Sequence, residues 1–223
     1  MKERRVDVCQ ELPRRYEADG EAFLQCIVTG DETWVHFYEP ERKRQSMEWR
    51  QTSSPKPKKV RVQRSAGKVM LTFFWDYNGP ILEDYMPRGS TVTSPTYSNL
   101  LRENLKPAIR QKWRGLLTTG VCLLHDNVRP HTATATVLTI EELRFECIAH
   151  PPYSPDLTPS DFHVFGPLKD ALSGTQFWDH YEVRSAVHEW QRTRPKEIFS
   201  RGIYTLVKRW LKCIELEGDY VEQ

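Results

Sequence analysis

Three aspartates carry the chemistry this sequence can be read to perform. Asp126 lies in HDNVRPHTA, residues 125–133, directly after the apolar run VCLL. Asp31 lies in TGDE, and Asp161 follows the proline-stiffened stretch PPYSPDLTPS. Strand ends are where an α/β sheet opens its ligand crevice, and Asp126 occupies such an end, as Asp31 does if its own strand stops at TGDE. If the strands that lead to Asp31 and Asp126 are neighbours, those two carboxylates converge, and the loop 151–160 can bring Asp161 in beside them. Three gathered carboxylates repel one another unless cations neutralise them, and a hard all-oxygen donor set favours Mg²⁺ or Mn²⁺ over Zn²⁺. Two such ions in one active site serve an in-line phosphoryl displacement, so the inferred reaction is phosphodiester cleavage or exchange.

Each aspartate alone has a plainer reading. Asp31 in TGDE has the look of a turn residue, and Asp161, behind Ser160 as a candidate N-cap, that of a first-turn acid complementing a helix dipole. Asp156, between prolines, reads as an Asx-turn acid. His125 and His131 read as hydrogen-bonded supports for the Asp126 loop, and Asn127 and Arg129 as further supports or phosphate contacts. His125, His131, His150 and Cys147 fit no common zinc spacing. His163 is open between the site and solvent.

The elements that must position these residues follow from periodicity. Residues 1–24 read as a helical segment with Val6, Cys9, Leu12, Tyr16 and Phe23 on one face and Pro13 interrupting it. FLQCIVTGDETWVHFY, 23–38, divides into strand, turn and strand. VMLTFFWDY and ILEDYM around Asn78, Gly79 and Pro80 make a hairpin. Residues 97–114 space Leu100, Leu101, Leu105, Ile109 and Trp113 as a helix; 121–125 and 144–150 read as strands around a helix over 132–143, where Val137, Leu138, Ile140 and Leu143 can line a core. Residues 162–172 resume a helical pattern, and 181–217 is mostly amphipathic helix with Ile203, Leu206, Val207, Trp210 and Ile214 together. The fold class is α/β, a mixed sheet flanked by helices.

Composition sets the outer bounds. With 32 Lys plus Arg against 30 Asp plus Glu, the net charge of +2 does not by itself announce a nucleic-acid partner. The charge is instead local: from Glu39 to Lys68, ten Lys or Arg stand against three Glu. Phosphate contact there would be sequence-independent and salt-sensitive, with Arg42, Lys43, Arg44, Lys56, Lys58, Lys59, Arg61 and Arg64 the candidate DNA-binding residues and Trp49 a candidate anchor. PKPKKVR within it has the composition of a nuclear-localisation patch. Five scattered cysteines without a C-x-x-C pair read as reduced core residues of an intracellular protein. The longest apolar run is far too short to span a bilayer, which excludes a membrane role on this reading.

At these motifs the chain resembles a family. TGDETWVHF, HDNVRPHTA and HPPYSPDLTPSDFHVFGPLK resemble the three catalytic blocks of mariner-family transposases, and Asp161 follows Asp126 after 34 intervening residues, as the family's third acid follows its second. The likeness runs from about Arg5 to GIYTLVKRWLKCIELEGDY. It implies an RNase H-like domain over 25–223, with the loop 39–68 inserted toward DNA and a dimer partner. It also implies Asp31, Asp126 and Asp161 as catalytic and metal-binding residues: Asp31 would bridge two Mg²⁺ or Mn²⁺ ions, Asp126 would complete one site and Asp161 the other. Double-stranded DNA would be the substrate, with no small-molecule substrate, a homodimer the working form, TA the target and the nucleus the location. Family members carry a helix-turn-helix DNA-binding half ahead of this region. No counterpart precedes it in these residues, and 1–24 resembles the segment that joins the two. Two other readings stand beside the transposase: a host-retained derivative that binds DNA or protein, and a sequence-independent nuclease.

Overall fold

The structure is a computed structural model that describes residues 2–41, 63–113 and 115–222. Helix α1, Lys2–Asp19, passes through Pro13 without interruption, because the pyrrolidine is tolerated where it costs one ladder bond in a helix pinned by packing. The break comes instead at Gly20, whose φ of 60° turns the chain into α2, Glu21–Cys26. Strand β1, Ile27–His36, then runs unbroken through the stretch read above as a turn. Gly30 marks a close approach rather than a reversal: it faces Phe74 on the neighbouring strand, and a Cβ there would sit 2.2 Å from the Phe74 ring.

Strand β2, Lys68–Asp76, pairs antiparallel with β1 along its whole length, and β3, Gly79–Tyr85, returns beside it. Asp76 closes that hairpin by accepting from the backbone N–H groups of Asn78 and Gly79 at 2.8 and 3.0 Å. A continuous helical rod follows: α3, Ser94–Asn99, a π-helical stretch, Leu100–Leu105, and α4, Lys106–Lys112. After the short α5, Leu116–Thr119, strand β4, Val121–Leu124, inserts parallel to β1. Helices α6, Arg129–Thr132, and α7, Thr134–Leu143, lead to β5, Phe145–Cys147, parallel to β4 and shorter than the 144–150 strand expected. A 3₁₀ turn, Pro155–Leu157, a π-helical turn, Ser160–Phe165, and α8, Gly166–Leu172, complete this half, and α9, His180–Arg192, and α10, Lys196–Glu215, close the chain.

The sheet order is β3-β2-β1-β4-β5, antiparallel on one side of β1 and parallel on the other. Alternation along each central strand splits the apolar residues between two cores. Ile27, Phe73, Trp75, Cys122 and Leu124 join the helices α1, α2, α8, α9 and α10; Val28, Phe74, Val121 and Leu123 join the α3–α4 rod and α7. On α7 the buried side chains are Thr136, Thr139, Ile140 and Leu143, while Val137 and Leu138 are exposed. The threonines win those places because their hydroxyls are satisfied within the fold: Thr136 donates to Pro130 O at 2.6 Å and Thr139 to Ala135 O at 2.8 Å.

Candidate active site

Register brings the first two carboxylates together. Ile27, Val28 and Thr29 pair with Cys122, Leu123 and Leu124 on the parallel neighbour. The same offset carried two residues further sets Asp31 opposite Asp126. Asp31 is therefore interior to its strand rather than at its end, while Asp126 stands just past its own. Asp161 arrives on the π-helical turn, a geometry common at functional sites. That turn is tethered to the sheet by Trp75, whose indole Nε1 donates to Ser160 Oγ at 3.1 Å, both side chains fully buried. Ser160 is thus a core anchor and not the N-cap expected of it.

Asp31, Asp126 and Asp161 line one open cleft of about 420 Å³ together with Asn127, Arg129 and Tyr153. Among the described residues no three His, Cys, Asp or Glu side chains are drawn tightly enough to grip an ion as they stand. Their electrostatics nevertheless link them. Burial, then the charges of Asp161 and Glu32, and more weakly Asp126, push the Asp31 carboxyl well above its ordinary range, although the Glu32 N–H donates to it at 2.7 Å. Burial and Asp126 likewise raise Asp161, with Lys169 opposing. Asp126 moves the other way: its burial is outweighed by the hydrogen bond and charge of His131, and its carboxyl is lowered.

His131 Nδ1 donates to Asp126 Oδ1 at 2.7 Å, and its other nitrogen lies 3.6 Å from Glu32 Oε1, too far for a formed bond. Burial alone would lower this imidazole, but the two flanking carboxylates raise it to about 9. Tyr97 clamps it from one side with ring centroids 3.9 Å apart, and His125 stacks at 5.0 Å on an almost parallel plane. His125 is pushed down to about 3, chiefly by burial, and is neutral; its nitrogens meet the Tyr97 hydroxyl at 2.9 Å and Cys147 Sγ at 3.3 Å. Asn127 donates through Nδ2 to the His150 carbonyl, fastening the Asp126 loop to the chain after β5. His150 in turn meets Thr158 Oγ1 at 3.3 Å.

The expected supports His125, Asn127 and His131 therefore sit behind or beside Asp126, and Arg129 lines the cleft itself. His163 is half-buried and does not line the cleft: its Nε2 donates to Ile198 O at 2.7 Å and its ring packs on Gly202 of α10. Asp156 is no Asx turn but one half of a buried ion pair with Arg5. Arg42, Lys43, Arg44, Lys56, Lys58, Lys59, Arg61 and Trp49 lie outside the described residues. Arg64 is described and pairs with Glu39 at 2.7 Å, away from the cleft lining. Glu32 and Tyr97 escaped the sequence reading. Glu32 could have been found, since it adjoins Asp31; nothing near Tyr97 in sequence marks it.

A mixed sheet with helices on both faces and three acids at one cleft defines the RNase H-like class. Residues 39–119 match the family described as Transposase (partial DDE domain). The mariner Mos1 transposase of Drosophila mauritiana is 37% identical over 222 residues, 99% of this chain and 63% of that protein. The human histone-lysine N-methyltransferase SETMAR is 35% identical over 225 residues, all of this chain and 32% of that protein. Among solved structures, the Mos1 transposase catalytic domain with Raltegravir and Mn gives a TM-score of 0.82 at 34% identity, over 99% of this chain and 96% of that one. The Mos1 paired-end complex with the left transposon end gives 0.87 at 37%, over 99% and 63%. The chain belongs to the mariner transposase family and spans less than two thirds of the length of these curated relatives.

Proposed function

We propose that this chain is the catalytic domain of a DNA transposase, cleaving phosphodiesters at transposon ends and joining them to target DNA. The observation that carries the reading is the meeting of Asp31, Asp126 and Asp161, from a strand interior, a strand end and a π-helical turn, at one cleft. Three hard carboxylates fit Mg²⁺ or Mn²⁺, and the raised carboxyls of Asp31 and Asp161 mark a site short of positive charge. The likeness to a Mos1 catalytic domain solved with Mn supports the same choice. Bound there, two divalent ions would supply Lewis acidity and charge neutralisation for in-line displacement.

The chain's own residues do the rest. Asp31, Asp126 and Asp161 are the residues that would hold the ions, Asp31 toward both, Asp126 toward one and Asp161 toward the other. His131 holds one Asp126 oxygen through its Nδ1 proton, fixing the carboxylate's rotation while the Tyr97 ring and His125 keep the imidazole from turning. Arg129 at the cleft wall offers a guanidinium to the DNA backbone. A water oxygen would attack the phosphodiester at the element's end and break its bond to the 3′ oxygen, which leaves as a 3′-hydroxyl. That hydroxyl would attack a target phosphodiester in turn, its oxygen joining the phosphorus as the target strand's own 3′ oxygen leaves. Double-stranded DNA as partner follows from this chemistry and from the likeness to a Mos1 complex with a transposon end. A homodimer, a TA target and a nuclear location belong to the same proposal on family grounds, as do the basic residues of 39–68 as DNA contacts.

A second reading, a transposase-derived module kept for binding DNA or protein, draws support from the likeness to SETMAR, a third of which this chain covers. Supercoiled plasmid incubated with the protein and Mn²⁺ separates the two. Wild type should yield nicked and linear forms and Asp161→Asn neither, with plasmid retardation in a gel equal for both. Retardation without nicking by either protein supports the second reading; equal nicking by both removes Asp161 from the site.

A further inference from the structure

A second cavity among the described residues, about 910 Å³, lies at the other ends of the same two parallel strands, and it is bordered by two thiols. Cys26 ends α2 immediately before β1, and Cys122 is the β4 residue paired with Ile27. One step along a parallel ladder separates their Cα atoms by roughly 5–6 Å, inside the range a disulfide spans. Cys26 Sγ donates to Phe23 O at 3.0 Å, and the two thiols are near enough for each to shift the other's titration. Arg15 stands over the pair, its Nη2 donating to Cys122 Sγ at 3.4 Å and to Glu146 Oε2 at 2.7 Å. Cys122 Sγ in turn donates to Glu146 Oε2 at 3.6 Å. The neighbouring Cys122 thiol and the Arg15 charge lower the Cys26 thiol against its burial, whereas Cys122 is pushed up. Cys26 is thus the readier thiolate and Cys122 the thiol that waits behind it.

A second pair makes the contrast. Cys9 and Cys213 also lie close enough to act on each other, between α1 and α10, but both are wholly buried and neither borders a described cavity. Proximity is common to both pairs, and a cation acts on each, Arg15 on one and Arg5 on the other; access from a cavity belongs to one.

We propose that Cys26 and Cys122 form a thiol–disulfide exchange site that takes a small-molecule disulfide from this cavity and closes to an intramolecular disulfide between the starts of β1 and β4. The Cys26 thiolate attacks one sulfur of R–S–S–R, forming Cys26–S–S–R and expelling RS⁻. The Cys122 proton passes by way of Glu146 to the expelled thiolate. The Cys122 thiolate then attacks Cys26 Sγ and releases the second RS⁻, which takes a proton from water. Two protein thiols are oxidised by two electrons, and the reagent is reduced to two small thiols. The product staples together the two strands that lead to Asp31 and Asp126, at the ends remote from the cleft.

The test is native incubation with glutathione disulfide, followed by alkylation, proteolysis and mass spectrometry. Wild type should give a peptide linking Cys26 to Cys122, with Cys9 and Cys213 alkylated as free thiols. Cys122→Ser should halt at a glutathione adduct on Cys26, formed about tenfold faster than any adduct on the exposed Cys147, and Cys26→Ser should leave Cys122 unmodified. A wild-type digest in which Cys147 is modified while Cys26 and Cys122 stay free overturns the proposal. So does a wild-type Cys26 adduct that never resolves to the linked peptide.

Discussion

Asp156 and Asp161 sit a few residues apart on the same passage from β5 to α8, and the fold treats them in opposite ways. Asp156 receives both terminal nitrogens of Arg5, at 3.0 and 2.6 Å, and the Val221 N–H at 2.9 Å. The remaining Arg5 donors reach Ser154 Oγ, Gly218 O and Asp219 O, so that α1, the loop and the C-terminal tail are tied at one point. Asp161 instead shares a cleft with two other carboxylates, and burial together with the charge of Asp126 raises its pKa. The first acid is matched by a full cation and three donors. The second adds to a charge imbalance that folding alone would select against, which is the physical mark of a residue kept for function.

The sharpest way to break that comparison is to remove the cation. Arg5 and Asp156 side chains are only 3% and 8% exposed, so Arg5→Ala strands a carboxylate out of water and should cost about 3–5 kcal/mol in denaturant unfolding. Restoring neutrality with Asp156→Asn in the same chain should recover part of the loss. A cost under about 1 kcal/mol would place the pair with ordinary surface ion pairs and dissolve the contrast.

What the sequence displayed and what it hid follow the same division. The Asp76–Gly79 hairpin, the apolar faces of α10 and the cluster around Asp126 were legible because each is written in near neighbours: Asn-Gly turn chemistry, helical spacing, and His131 five positions after Asp126. The strand order was not, since it is fixed by residues far apart in the chain, and a conditional statement about neighbouring strands was the most that periodicity allowed. Gly30 misled because a glycine beside an acid has the same letters in a turn and in a strand crowded by Phe74. Arg5 and Asp156, like Trp75 and Ser160, meet across most of the chain, and neither partner's local sequence announces the other.

Asp76 tests a third condition, a carboxylate buried without an ion pair among the described residues and without a proposed task. It is wholly buried, one of its oxygens has no hydrogen-bond partner among the described residues, and burial raises it from 3.8 to about 6 against the turn amides and Lys112. Because the folded pKa is raised, its protonated form favours the native state below about pH 4, and that contribution is lost as the pH climbs through about 6. Asp76→Asn keeps an oxygen for the Asn78 and Gly79 N–H groups and removes the charge. At pH 7 it should stabilise the protein by roughly 2 kcal/mol, an advantage that vanishes near pH 4. A variant no more stable than wild type at neutral pH would show that the hairpin amides alone suffice for the anion.

The smallest expected effect bears most directly on the cleft. Asp31→Asn removes a charge that burial and Asp161 disfavour, while leaving an oxygen to accept from Glu32 N–H. In metal-free buffer at pH 7 it should therefore stabilise the protein by about 0.5–2 kcal/mol, the size of gain typical where function has held stability back. The gap from wild type should shrink as the pH falls, because protonation relieves the wild-type site in the same way the substitution does. Adding Mn²⁺ should reverse the ranking: the wild type gains stability by ion binding and the variant, short of a ligand, gains less. If Asp31→Asn is instead destabilising without metal and indifferent to Mn²⁺, the carboxylate is held by the fold as Asp156 is, and the two ends of the comparison become one.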